Sequence, residues 1–255
     1  MQFFQIFGFF QIFGHYLIHL RLLNLPMELS GKTILVTGAS GALGSELTNV
    51  LSSRGAKVLG TATTNDSAGR ISAKAEVKLL LDFQEPNSIQ TLTDYLIAAG
   101  PVDGIINASG LVAFGPVSEL TMETSKRLTA VNSQGPIQLI SQLFGKLKDS
   151  SQAGNKPFVL NITGVVAETP MMGMAAYCGS KTAIHGFLIA LGKEWRREGI
   201  RVISARPGHT ETGLASRAIA GKAPKFPAGM TTEHLVARLV AAIEADEKDL
   251  ASSDF

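Results

Sequence analysis

One cysteine, one tryptophan and three tyrosines occur in 255 residues, and acid and base nearly cancel, leaving a formal net charge of +2. A lone Cys178 excludes an internal disulfide and a cysteine-rich metal centre, and it fits a reducing, cytoplasmic compartment. The 23 basic residues are scattered rather than gathered into a stripe. A nucleic-acid partner is therefore not expected, and a small molecule is. His185, His209 and His234 have no ligand-like spacing, so no metal is expected either. His15 and His19 stand four apart, but in a segment that does not read as part of the fold.

That segment is residues 1–26. It repeats a hexapeptide, Phe3 to Gly8 and then Phe9 to Gly14, and holds six of the 13 phenylalanines. It lacks the basic start and small-residue cleavage site of a secretory signal. Gln5, Gln11, His15, His19 and Arg21 interrupt the run of about 20 apolar residues that a membrane span needs. The leading expectation is an extension outside the fold, upstream of a functional start at Met27. An amphipathic, membrane-contacting helix and a span are the alternatives.

From Met27 the chain is rich in hydrophobic residues and alternates strand-like with helix-like patterns. Thr33 to Thr37 is a run of β-formers, Gly38, Gly41 and Gly44 punctuate a turn, and Leu43, Leu47 and Leu51 then keep helical spacing. Further strands are expected at Ala56–Ala62, Glu76–Leu81, Val102–Ile106 and Phe158–Thr163. A helix opens at Pro86, and a long helical pattern from Met122 to Leu147 carries Asn132 in its apolar stripe. This order predicts an α/β domain over residues 27–255, a single doubly wound parallel sheet with helices on both faces. After a helix over 231–247, only Lys248 to Phe255 remain, which leaves little for a seventh strand.

Glycines at a strand-to-helix turn let a pyrophosphate approach bare backbone, where unpaired N–H groups and the positive helix end hold its charge. The second strand ends in Thr61-Ala62-Thr63 with no carboxylate to repel a 2′-phosphate, so NADP(H) is favoured over NAD(H). Tyr177 and Lys181 lie four apart at a helix start and can share a face. An ammonium beside a phenol lowers its pKa from about 10 and prepares it for proton exchange. Gly213 to Met230 reads as a lid, with Leu111, Phe114, Met171, Met172 and Met174 as an apolar pocket. Ile184, Phe187, Leu188, Leu191 and Trp195 make an apolar helix side suited to a homodimer or higher oligomer. Cys178 reads as a packing residue.

Thr37-Gly38-x₅-Gly44, Asn107-Ala-Ser-Gly110, Asn132, Tyr177-x₃-Lys181 and Pro207-Gly208, in this order, resemble the short-chain dehydrogenase/reductase family. The likeness runs from Met27 to about Thr212, and Gly60-Thr61-Ala62-Thr63 further resembles the 3-oxoacyl-(acyl-carrier-protein) reductase branch. It implies a Rossmann-like NAD(P)-binding oxidoreductase that passes hydride between nicotinamide and a carbonyl or alcohol carbon. Gly38, Ser40, Gly41, Leu43 and Gly44 would face the pyrophosphate, with Thr61 near the adenosine ribose. Asp82 and Phe83 would contact adenine, and Asn107, Ser109 and Gly110 would pack by the ribose. Pro207, Gly208, Thr210 and Thr212 would meet the nicotinamide. Lys181 would hold its ribose and acidify Tyr177, the acid/base, while Asn132 anchors a relaying water.

The serine that polarises the carbonyl in the family falls, 13 residues before Tyr177, on Gly164. Thr163 can replace it only if the strand end twists, because adjacent strand residues face opposite ways. Ala42 also stands where a glycine is usual. The alternative reading is a cofactor-binding member without turnover, acting as a sensor or partner subunit.

Overall fold

The computed structural model describes residues 27–255. The repeat, His15 and His19 lie outside the described residues. Among the described residues seven strands form one parallel sheet: β1 (Thr33–Thr37), β2 (Lys57–Ala62), β3 (Val77–Leu80), β4 (Gly104–Asn107), β5 (Phe158–Ile162), β6 (Arg201–Ala205) and β7 (Asp249–Leu250). Their order across the sheet is β3-β2-β1-β4-β5-β6-β7, so the direction of winding reverses between β1 and β4. A ligand cleft belongs at that reversal, outside the strands' carboxyl ends.

Alternation along the strands divides the core. Ile34 and Val36 point to a layer completed by Leu47 and Leu51 of α1 (Ala42–Ser53) and by Leu235, Leu239 and Ile243 of a helix over Thr232–Glu244. Leu35, Ile105 and Val159 point the other way. They meet the helices α3 (Pro86–Ala99), α5 (Gly135–Gln142), α6 (Phe144–Gln152) and α7 (Ala175–Trp195), α2 being the single turn Asn65–Ala68 and α4 Met122–Thr129. The helix after them, Thr232–Glu244, is α8. Burial on both faces is what near-continuous apolar strands require.

Two sequence expectations change. The pattern over 122–147 is several elements rather than one helix, because α4 passes into a π-helical stretch, Ala130–Gln134, before α5 begins. Asn132 is at its centre with its amide drawn to the Leu111 main chain, and a π segment is how a helix absorbs such a pull. A seventh strand does form. It is two residues long and is held by Arg206, whose N–H donates to Leu250 O at 3.0 Å and whose guanidinium grips Asp249 at 2.5 and 2.7 Å. Glu168 also pairs with that guanidinium.

The α7 residues Ile184, Leu188, Leu191 and Trp195 are buried in the chain's own core, not on an outer face, and Ile189 is the large apolar residue that α7 exposes.

Candidate functional site

A cleft of about 540 Å³ runs along the carboxyl edge of the sheet from the Gly38 turn to Tyr177. Its floor at one end is the β1–α1 turn. Gly38 has φ +68°, and a Cβ on Gly44 would come within 2.2 Å of Gly38 O, so helix and turn meet backbone to backbone. Gly41 caps α1 with no side-chain bond, and the first turn holds no acid. The leading N–H groups of α1 therefore face the cleft without an intrahelical partner, as an anion site requires. A dinucleotide's pyrophosphate fits this cradle.

Most of the expected residues converge. Gly38, Ser40, Gly41, Leu43, Gly44, Asp82, Phe83, Ser109, Gly110, Thr163, Tyr177, Lys181, Pro207, Gly208, Thr210 and Thr212 all line the cleft. Thr61, Asn107 and Asn132 are buried behind it. Thr61 O accepts from Ala39 N at 2.8 Å and so supports the turn. Asn107 accepts from Thr37 Oγ1 and donates to Asn161 Oδ1 at 2.6 Å, tying together the ends of β1, β4 and β5. Asn132 accepts from Leu111 N at 2.8 Å and donates to Leu111 O at 2.9 Å and Ser180 Oγ at 3.0 Å. Both of its Nδ2 hydrogens are used on Leu111 and Ser180, and Oδ1 holds one of the two hydrogen bonds it can accept. Ser180, unnoticed in the sequence, passes the tie on to Tyr177 O at 2.7 Å.

Arg70 also lines the cleft, as does Thr63. It is exposed and has no ion pair among the described residues. The sequence gives little signal for it, because it arrives from the loop after β2 rather than from the strand.

The Tyr177 hydroxyl makes no hydrogen bond within the described chain, although the residue is only 9% exposed. Burial, with the neighbouring Cys178 adding to it, pushes its pKa up to about 12. Burial pulls Lys181 down to about 8, and its Nζ donates to Ile162 O at 2.9 Å. In the bare protein burial, and not Lys181, sets the direction of the phenol's shift. Tyr177 stands as a protonated acid.

A pH dependence follows from the lysine. Below pH 8 both folded and unfolded chains hold its proton; between 8 and 10.5 only the unfolded chain does, so stability rises with pH. Tyr177 acts in the opposite sense, but only above pH 10. Between pH 8 and about 9.5 the wild type is expected to gain roughly 2 kcal/mol relative to Lys181→Met. Urea unfolding at both pH values measures it; parallel curves for the two proteins would contradict it.

Gly164 lies on the cleft wall with φ +85° and ψ 157°, a region essentially reserved for glycine. The backbone there is committed to glycine, so a serine would be strained by about 1–3 kcal/mol. Thr163 does not take over: its Oγ1 donates to Ala205 O at 2.9 Å and lies 3.2 Å from Ser204 Oγ. Leu111, Phe114, Met171 and Met174 line the far end, whereas Met172 is fully exposed and does not. Residues 213–230 cover this end and are stitched down. Ile219 N donates to Val112 O and Phe114 N to Ala220 O, both at 2.9 Å, while the Phe226 ring stacks on His209. Cys178 is buried against Met171, as a packing residue should be.

Comparison with known proteins agrees with this fold. The 3-oxoacyl-[acyl-carrier-protein] reductase FabG of Escherichia coli is 29% identical over 231 residues, covering 87% of this chain and 93% of that one. A short-chain dehydrogenase from Sphingobium yanoikuyae, solved with NADPH, superposes with a TM-score of 0.76 at 23% identity, covering 86% and 87% of the two chains. The 3-ketoacyl-(acyl-carrier-protein) reductase of Brucella melitensis, solved with NADH, gives 0.77 at 21% identity, covering 89% and 99%. The family's own sequence model, described as short chain dehydrogenase, matches residues 32–223. A match spanning both the glycine turn and the tyrosine helix leaves one conclusion: the chain belongs to the short-chain dehydrogenase family.

Proposed function

We propose that this protein is an NADP(H)-dependent oxidoreductase acting on a carbonyl or alcohol, a 3-oxoacyl compound or another ketone, with Tyr177 as its acid/base. The observation that carries the reading is the uncommitted Tyr177 hydroxyl in the same cleft as the open N–H groups of α1. When bound, the nicotinamide supplies or accepts the hydride. The protein's part is to hold and to protonate. Gly38, Ser40, Gly41, Leu43 and Gly44 receive the pyrophosphate, and Asp82 and Phe83 the adenine. Ser109, Gly110 and Lys181 receive the ribose, and Pro207, Gly208, Thr210 and Thr212 the amide. Tyr177 gives its proton to the carbonyl oxygen as that oxygen becomes alkoxide, a stronger base than phenolate. Lys181, in its charged form, favours the resulting phenolate.

The reading includes a preference for NADP(H), and Arg70 is its basis. A guanidinium on the cleft wall with no ion pair among the described residues is suited to a 2′-phosphate. Arg70→Ala is expected to weaken NADPH binding about tenfold or more, a charge-assisted bond being worth roughly 1.5–3 kcal/mol, and to leave NADH unchanged. Fluorescence titration with both dinucleotides checks this; equal losses would remove Arg70 from the site.

The second reading, a cofactor-binding protein without turnover, draws on the bare Gly164 wall, and a turnover screen separates it from the first. Self-association as a homodimer belongs to the same proposal, supported by exposed Ile189, and cytoplasmic residence by the single buried thiol.

A further inference from the structure

We infer that the cleft takes an α-hydroxyketone, a substrate whose own hydroxyl gives the reacting oxygen its second hydrogen bond. This rests on the oxidoreductase reading and adds the substrate class.

The cleft wall at residues 163–165 has no hydrogen to offer. The N–H groups of Thr163 and Gly164 both donate to Ala205 O, at 2.8 and 3.2 Å, and that of Val165 donates to Pro207 O at 2.8 Å. The Thr163 hydroxyl also donates to Ala205 O. On the opposite side, Thr210 Oγ1 donates to Gly208 O, and an Arg217 nitrogen donates to Thr212 O. Lys181 Nζ is on Ile162 O. Thr212 Oγ1 accepts from Leu214 N at 3.3 Å, away from residues 163–165, and Tyr177 keeps an uncommitted hydroxyl for the reacting oxygen.

A wall with no donor leaves the reacting oxygen without a hydrogen bond from that side, and losing a preorganised donor to a developing oxyanion costs about 10²- to 10³-fold in rate. The same wall leaves room for a donor carried by the substrate. A Cβ built on Gly164 would find its first neighbours, Pro207 O and Val166 Cγ2, at 3.9 and 4.0 Å. A hydroxyl on the carbon next to the carbonyl fits that opening and closes a five-membered hydrogen-bonded ring on the oxygen. Phe114, Val166 and Met174 surround the remainder of the substrate, so its body is apolar.

In the step itself the carbonyl carbon gains a hydride from the reduced dinucleotide, and the oxygen gains the Tyr177 proton as the C=O π bond breaks. The dinucleotide is oxidised and the ketone reduced to a vicinal diol. The neighbouring hydroxyl lends its hydrogen bond and keeps its proton.

The test uses the full chain with NADPH and three probes: 2-hydroxypropiophenone, its O-methyl ether, and propiophenone. The expected result is a kcat/KM for the hydroxyketone at least about tenfold above both others. The difference should lie in kcat, with calorimetric dissociation constants for the NADP⁺ complex within about threefold of one another, because the hydroxyl acts on the developing charge. Rates within threefold for all three probes, or a tenfold gap residing in binding alone, overturn the inference while leaving the oxidoreductase reading intact. Failure to oxidise NADPH with any of the three, or with a wider ketone and 3-oxoacyl panel, overturns that reading and the inference with it.

Discussion

Tyr177→Phe is expected to lower kcat/KM about 10³-fold while leaving the fold and NADPH affinity nearly untouched. General acid catalysis contributes about 10²- to 10⁴-fold, and the Tyr177 hydroxyl, in the cleft, is held by no hydrogen bond among the described residues. The variant should fold because the phenolic oxygen has no partner in the described chain, so its removal strands no donor or acceptor. The ring keeps its packing against Val112, Phe114 and Met174. Steady-state kinetics, thermal melts and an NADPH titration on one preparation separate the cases. An equal loss in binding or in melting temperature would mean that Tyr177 is a packing residue, and a loss below tenfold would mean that another group delivers the proton.

The second large effect is expected at the other end of the cleft. Gly44→Ala places a methyl 2.2 Å from Gly38 O, 2.7 Å from Gly38 C and 2.8 Å from Ala39 Cα, all backbone atoms that no rotamer change can move. Either α1 retreats from the turn or the turn opens, and both cost packing. A loss of about 3 kcal/mol or more is expected, the upper part of the range for overpacked cores, with NADPH affinity falling at least tenfold as the N–H groups of α1 leave register. Gly41→Ala is the companion. Its Cβ would meet only Gly38 O, at 3.4 Å, and its φ is −85°, so its stability should change little. It tests whether bare backbone is needed for the ligand rather than for the fold. Chemical denaturation and dinucleotide titration on both variants give the answer; a Gly44→Ala protein as stable as wild type would refute the close approach.

These contrasts mark what could be read before the structure. Strands with apolar runs declare themselves, and so does a glycine turn between a run and a helical stripe, which is why β1, α1 and the cleft's position were legible. Which residues share the cleft was largely legible too, because strand ends and helix starts collect at one sheet edge. What each side chain does there was not. Asn132 and Asn107 carry amides suited to a ligand, yet both make local bonds to Leu111, Thr37 and Asn161 that the sequence does not announce. The direction of the Tyr177 and Lys181 shifts depends on burial, which a spacing of four does not report. Arg70 comes from a loop with no periodic signal. β7 is too short for any period and exists because Arg206 anchors Asp249.

The central claim is that Tyr177 protonates an oxygen whose carbon receives hydride from a dinucleotide seated on the Gly38 turn. The most direct measurement follows the label: NADPH carrying deuterium at C4 of the nicotinamide, incubated with the protein and a ketone, the alcohol then read by NMR. The account predicts deuterium on the carbinol carbon from one of the two C4 faces, and none with Tyr177→Phe on the same timescale. NADPH that binds but leaves its deuterium in place against every carbonyl offered would contradict it.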